Sequence, residues 1–195
     1  MEQIDGETTS ARPLRSLVVV FSYHQMNTEK VARAIAGALG AAVKTPQEID
    51  PEEVPTYDLV GFGSGIYSAR NHDSVVDLAR RLPRSSGTKA FVFSTFGAPA
   101  GLFRGERLRE FVRKNHADLR DALESRGYAV MDEFACPGFN TNSFLKVFGG
   151  LNRGRPDPDD LGRAEAFARS LAERAGPEPG EARKDVRAAS AGAGV

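Results

Sequence analysis

The stretch Val18-Val19-Val20-Phe21-Ser22-Tyr23-His24-Gln25-Met26-Asn27-Thr28-Glu29-Lys30 decides the fold. An unbroken, β-branched apolar run gives way to a loop of hydroxyl and amide side chains. An amphipathic pattern follows, with Val31, Ile35, Ala38 and Leu39 at helical spacing. A strand with no polar alternation is buried on both faces, as in a parallel sheet covered by helices. Asn27 and Thr28 stand where N-caps stand, so the spacing predicts a helix over 28–39, closed by Gly40 at the C′ position. A loop in this position aims backbone N–H groups and hydroxyls at the positive end of a helix dipole, where phosphate binds. The same residues also occur as caps that bind nothing.

Outward from this unit the pattern repeats. Strands are expected at 57–62, 89–94 and 128–135, with a short edge strand of Ala42, Val43 and Thr45. A helix capped by Asp73 or Ser74 carries Val75, Leu78, Ala79 and Leu82 on its apolar face and ends at Pro83. One long helix is expected over 106–126, with Glu110 and Lys114 as an exposed i,i+4 pair. A last helix starts at Asp157 with Pro158 in its first position, turning Leu161, Ala164, Phe167, Ala168 and Leu171 inward. The segment 143–156, with Phe144, Leu145, Val147, Phe148 and Leu151, is too apolar for a free loop and is expected to pack on the body. Alternation of five strands with helices predicts an α/β fold, an open parallel sheet with helices on both faces. Ligands of such sheets bind at the carboxyl ends of the strands, where the strand order reverses. The loops richest in Gly, Ser, Thr and Asn fall there: 22–27, 63–70, 95–101 and 136–142.

The 195 residues suit one domain: a polar lead at 1–14, a body at 15–175, and a disordered tail at 176–195 where apolar content collapses. No run approaches the about 20 apolar residues of a membrane span, and no secretory leader is evident. A lone cysteine excludes an internal disulfide and fits a reducing, cytoplasmic setting. Zero formal net charge gives nucleic acid no footing as a partner.

Four segments carry a resemblance: Ser22 to Thr28, Gly61 to Tyr67, Cys136 to Phe139, and Asn152 to Pro156. With Ser94-Thr95-Phe96-Gly97, they resemble the flavodoxin-like family over about residues 16–175, and within it a branch with Gly-x-Gly-Ser-Gly-Ile-Tyr and Asn-x-Gly-x-Pro segments. The resemblance implies a three-layer sheet of order 2-1-3-4-5 and non-covalent FMN. The phosphate would lie at Ser22, His24, Gln25, Met26, Asn27 and Thr28. The isoalloxazine would lie between Ser64, Gly65, Ile66, Tyr67 and Ser68 on one side and Thr95, Phe96 and Gly97 on the other. No catalytic or metal-binding residue is assigned. The chain departs from the family loop in carrying Met26 for its glycine and Gln25 for the preceding hydroxyl; glycine there permits a positive φ.

The implied function is electron transfer to a redox partner protein, or FMN-dependent reduction of a small electron acceptor such as a quinone. The rival reading, which Met26 motivates, is a flavin-free binding or scaffolding module on the same fold. Cys136 reads as a small buried thiol, His72 as part of a cap, His116 as a solvated or packing residue, and Tyr67 and Phe96 as either flavin stackers or core aromatics. Arg70, Arg104, Arg107, Arg153 and Arg155 fall near the ligand end and are either a positive rim or a solvated scatter.

Overall fold

The computed structural model describes residues 12–142 and 149–176. Most of the expected lead, the tail and the apolar run 143–148 lie outside the described residues. The elements are β1 (Ser16–Phe21), α1 (Asn27–Leu39), β2 (Ala42–Lys44), β3 (Leu59–Tyr67), β4 (Arg70–Asn71), α2 (Asp73–Arg81), β5 (Lys89–Phe96), α3 (Glu106–Asn115), α4 (Ala117–Ser125), β6 (Ala129–Pro137) and α5 (Pro158–Ala175). The sheet runs β2-β1-β3-β5-β6, every pair parallel. With the two-residue β4 set aside, this is the expected 2-1-3-4-5 order.

β1 shows why the apolar run was unbroken. Leu17 and Val19 enter the core under α2 and α4, and Val18 and Val20 enter the core under α1 and α5. Gly40 closes α1 at φ 62°, its N–H bonded to Ala36 O. Asp157 and Asp160 form a reciprocal capping box at the start of α5, with Pro158 in the first turn.

Several expectations fail. The Gly/Ser run 63–67 is strand, not loop. Gly61 and Gly63 lie opposite Phe91 and Phe93 in register, and a Cβ on either would fall inside the facing ring. The glycines keep β3 extended while those rings fill their face of the sheet. β3 then folds back at Ser68 and Ala69, both at positive φ, onto the antiparallel β4. Likewise Thr95 and Phe96 continue β5, and Cys136 continues β6 instead of opening a loop.

The helix expected over 106–126 breaks at His116 into α3 and α4. The His116 ring is wholly buried, with Nε2 2.7 Å from Ser94 Oγ. It therefore packs rather than facing solvent. Among the described residues Glu106 pairs with Arg109, and Glu110 forms no ion pair with Lys114.

The cap of α2 is His72, whose Nδ1 accepts from Ser74 N–H, and not Asp73 or Ser74. No helix among the described residues is long and apolar enough to cross a membrane.

Candidate functional site

The loops after β1, β3, β5 and β6 meet at the carboxyl end of the sheet. Between them lies a cleft of about 60 Å³. Nine of the fourteen residues picked from the sequence line it: His24, Asn27, Thr28, Gly65, Ile66, Tyr67, Thr95, Phe96 and Gly97. Ser22, Gln25, Met26, Ser64 and Ser68 do not. Ser64 is buried and structural: its hydroxyl accepts from His72 N–H and Asn71 Nδ2 and donates to Gly65 O. Ser68 is consumed by the β3–β4 turn.

The start of α1 departs from the capping expectation. Asn27 and Thr28 are inside the helix and buried. The N-cap residue is Met26, at φ 51° and ψ 29°, with no side-chain cap. Gln25 precedes it at φ 57°. The chain thus follows the left-handed path that glycine would favour, with two residues for which that path costs about 1–3 kcal/mol each. The first-turn N–H groups of α1 have no intrahelical acceptor. Thr28 Oγ1 is 2.8 Å from Thr95 Oγ1, which ties α1 to β5 across the cleft. Asn27 Nδ2 donates to Phe139 O at 2.8 Å, while its Oδ1 is buried without a partner.

Gly138, Phe139, Asn140 and Asn142 also line the cleft and were not picked out. Their signal was the Cys136–Phe139 segment, whose last two residues sit in the wall. Gly97 packs against Asn140 so closely that a Cβ there would fall 2.5 Å from Asn140 Nδ2. The Asn-x-Gly-x-Pro segment proves to be a staple. Asn152 Nδ2 donates to Ala98 O and Gly138 O, and its Oδ1 accepts from Ala100 N–H. His24 Nε2 lies 3.2 Å from Thr141 Oγ1, to which Gln25 Nε2 also donates.

Beside the cleft stands an aromatic group. Tyr23, the most exposed large hydrophobic side chain among the described residues at 61%, stacks on Tyr67 with ring centroids 5.3 Å apart and planes 18° apart. Tyr67 meets His72 edge-on, and His72 stacks on Phe21 at 3.9 Å. Burial, then the neighbouring Tyr23, pushes the Tyr67 phenol up to about 12. Phe96 is a core aromatic packed on Phe103 and Phe111. Burial also raises the Cys136 thiol well above its ordinary range, so it is an inert packing group. Arg155 is spent on Asp157 and Asp160, and Arg70 on Asp73, so two of the five arginines near the ligand end are already paired.

A parallel sheet in this order, with helices on both faces and its loops meeting at a cleft beside the first helix, is a flavodoxin-like fold. The solved structures most informative here agree on the fold. Oxidised flavodoxin 2 from Bacillus cereus matches with a TM-score of 0.59 at 19% identity, covering 82% of this chain and 99% of that one. A flavodoxin from the domain Archaea gives 0.56 at 16%, over 83% and 99%. General stress protein 14 of Treponema denticola, solved in complex with FMN, gives 0.50 at 12%, over 83% and 99%. No protein-family model matches the chain. In sequence the chain is 37% identical over 159 residues to the uncharacterized protein MJ0298 of Methanocaldococcus jannaschii, covering 81% of this chain and 98% of that protein. It belongs to that protein's family.

Proposed function

We propose that this protein binds FMN at the carboxyl ends of β1, β3 and β5 and acts as a flavin redox protein, carrying electrons to a partner or reducing a small acceptor such as a quinone. The observation that carries this reading is the uncapped, left-handed start of α1. Two non-glycine residues hold a costly conformation there, and Met26 gains no burial in return, being exposed. What the conformation provides is a loop with free first-turn N–H groups beside a polar cleft, at the positive end of the α1 dipole.

The donor set fits FMN in two parts. The cleft has the volume of a phosphate group, with Asn27 and Thr28 in its wall and His24 at its edge. The orphaned Asn27 Oδ1 is free to accept from a ribityl hydroxyl. Tyr67 and Ile66 offer an aromatic and branched surface for a flat ring, and Tyr23 must swing off Tyr67 to expose it. Bound FMN would supply one- and two-electron chemistry. The chain's own part is to hold the phosphate, orient the ring and limit water at its face. Thr28 and Thr95 brace that wall against each other.

The flavin-free reading also has an observation in its favour: the ring position is closed by Tyr23, and the cleft as it stands admits no three-ring system. The absorbance spectrum after incubation with FMN and desalting separates the two. Retained visible flavin bands are the expected result. A colourless protein overturns the redox reading and leaves the binding module. With flavin retained, turnover of a nicotinamide cofactor with a quinone marks a reductase, and a stable semiquinone without turnover marks a carrier.

A further inference from the structure

A concavity larger than the cleft at the loops lies elsewhere on the described residues. It is an open groove of about 720 Å³ along β6, the edge strand opposite β2, between α3 and the first turns of α5. Its floor is apolar: Leu108 and Val112 from α3, and Val130, Met131 and Phe134 from β6. These belong to three different core clusters, each of which runs out at this edge with its last side chains only partly covered, apart from Val112. Its rim is cationic, with Arg109, Arg113, Arg120 and Arg163 set against Asp132 and Glu133. Most of these charges are engaged: Arg109 with Glu106, Arg120 with Glu133, Arg163 with Asp160, and Asp132 with Arg174. Among the described residues Arg113 forms no ion pair, so the uncompensated charge of the groove is positive and sits over the α3 side of the floor.

We propose that this groove is a second binding site, for a small amphipathic anion: a carboxylate on an aliphatic or aromatic body. Its volume lies in the range of small-molecule sites, and so does its composition, an apolar floor with a few fixed polar groups. Guanidinium groups are weakly hydrated and bind carboxylates through paired N–H donors. The backbone of β6 argues against the other occupant an edge strand attracts, an added peptide strand. Met131 is an extra residue in the β5–β6 register, a bulge that bends the edge away from pairing. The N–H of Glu133 is already bonded to the Asp132 carboxylate at 2.9 Å. Recognition must therefore come from side chains, and these are apolar below and cationic above. The proposal is independent of whether FMN binds at the other site.

Titration of the full chain with decanoate, followed by amide NMR shifts, tests it. The expected result is saturable binding with shifts confined to the residues that line the groove, weakened at least tenfold by Arg113→Glu and by a smaller factor by Arg113→Lys, which keeps the charge but not the paired donors. Arg113 is exposed, so neither change endangers the fold. Decyltrimethylammonium, with the same tail and the opposite charge, should bind at least tenfold more weakly. Absence of saturable binding, shifts centred on residues 22–28, equal binding of the cationic amphiphile, or indifference to Arg113→Glu would each overturn it.

Discussion

Met26 stands where the loop that the sequence resembles carries glycine, and the backbone there takes the left-handed path that glycine favours. At φ 51° it does what glycine would do. Met26→Gly should therefore relieve about 1–2 kcal/mol of left-handed backbone cost, less about 0.4–1 kcal/mol for the looser unfolded chain. A net gain of up to about 1.6 kcal/mol corresponds to a thermal midpoint raised by up to about 6 °C for a domain of this size, readable in a melting curve. Because the loop already follows the required path, the same variant should change FMN affinity by less than about threefold. A larger gain would mean that the methionine itself blocks the site. Tyr23 is the residue that should matter more. Its stack on Tyr67 is worth about 0.5–1.5 kcal/mol, and flavin must replace it. Tyr23→Ala should tighten FMN binding by up to about tenfold, while Tyr67→Ala weakens it. The chain has no tryptophan and four tyrosines, so quenching of tyrosine emission on adding FMN reports both directly.

At the scale of elements, β3 shows where sequence reading meets its limit. Gly63-Ser64-Gly65 reads as a loop after a strand ending at Phe62, because glycine is a poor strand former. What makes it a strand lies thirty residues on, in Phe91 and Phe93, whose rings need the space above Gly61 and Gly63. Gly61→Ala should accordingly overpack the sheet and lower stability by about 1–3 kcal/mol, with partial recovery on adding Phe91→Leu; paired melting curves of single and double variants check it. By contrast β1, α1 and α5 were legible, since their signals are local: an apolar run, helical spacing, an aspartate cap followed by proline. The break at His116 was invisible because Leu108 to Leu123 keeps one helical phase, and only the buried bond to Ser94 distinguishes the histidine from its neighbours. The cleft was legible as a place, through its Asn and Gly loops. The division of labour within it was not, because whether Asn27 caps a helix or bridges to Phe139 depends on a loop more than a hundred residues away.

The same element carries a pH dependence. His116 Nδ1 lies 3.7 Å from Glu133, and Arg120 binds that carboxylate at 2.8 Å. Burial alone would raise the Glu133 carboxyl, but His116 and Arg120 outweigh it and hold it below its ordinary 4.5. A carboxyl depressed in the folded state contributes stability above its unfolded pKa and loses it as pH falls through the folded one. Stability should thus decline as pH drops below about 4.5, and Glu133→Gln should flatten that part of the profile in urea titrations at stepped pH. An unchanged slope would mean that other carboxylates govern acid unfolding.

At the scale of the whole molecule, the two cores on either face of the sheet bear the fold, and the loops at its carboxyl end are held by a few polar bonds, by a small apolar cluster around Phe96 and Phe103, and by the stack of Tyr23 on Tyr67. Asn152 holds the 97–100 and 138 segments, Asn140 holds Gly97, and Thr28 holds Thr95. Such an end can rearrange without disturbing either core, which is what admission of a ring past Tyr23 requires. A ligand that binds only the folded state adds RT ln(1 + [L]/Kd), about 2.7 kcal/mol at a hundred times its Kd. At about 2–4 °C per kcal/mol for a chain of this length, saturating FMN should raise the thermal midpoint by about 5–11 °C. Riboflavin, which lacks the phosphate, should raise it by much less, because the first turn of α1 then has no anion to hold. Inorganic phosphate should give a small rise at millimolar concentration that Thr28→Val abolishes. A rise with phosphate and none with FMN would assign the cleft to a phosphate-bearing ligand other than a flavin. Equal rises with FMN and riboflavin would move the binding energy from α1 to the aromatic group at Tyr67.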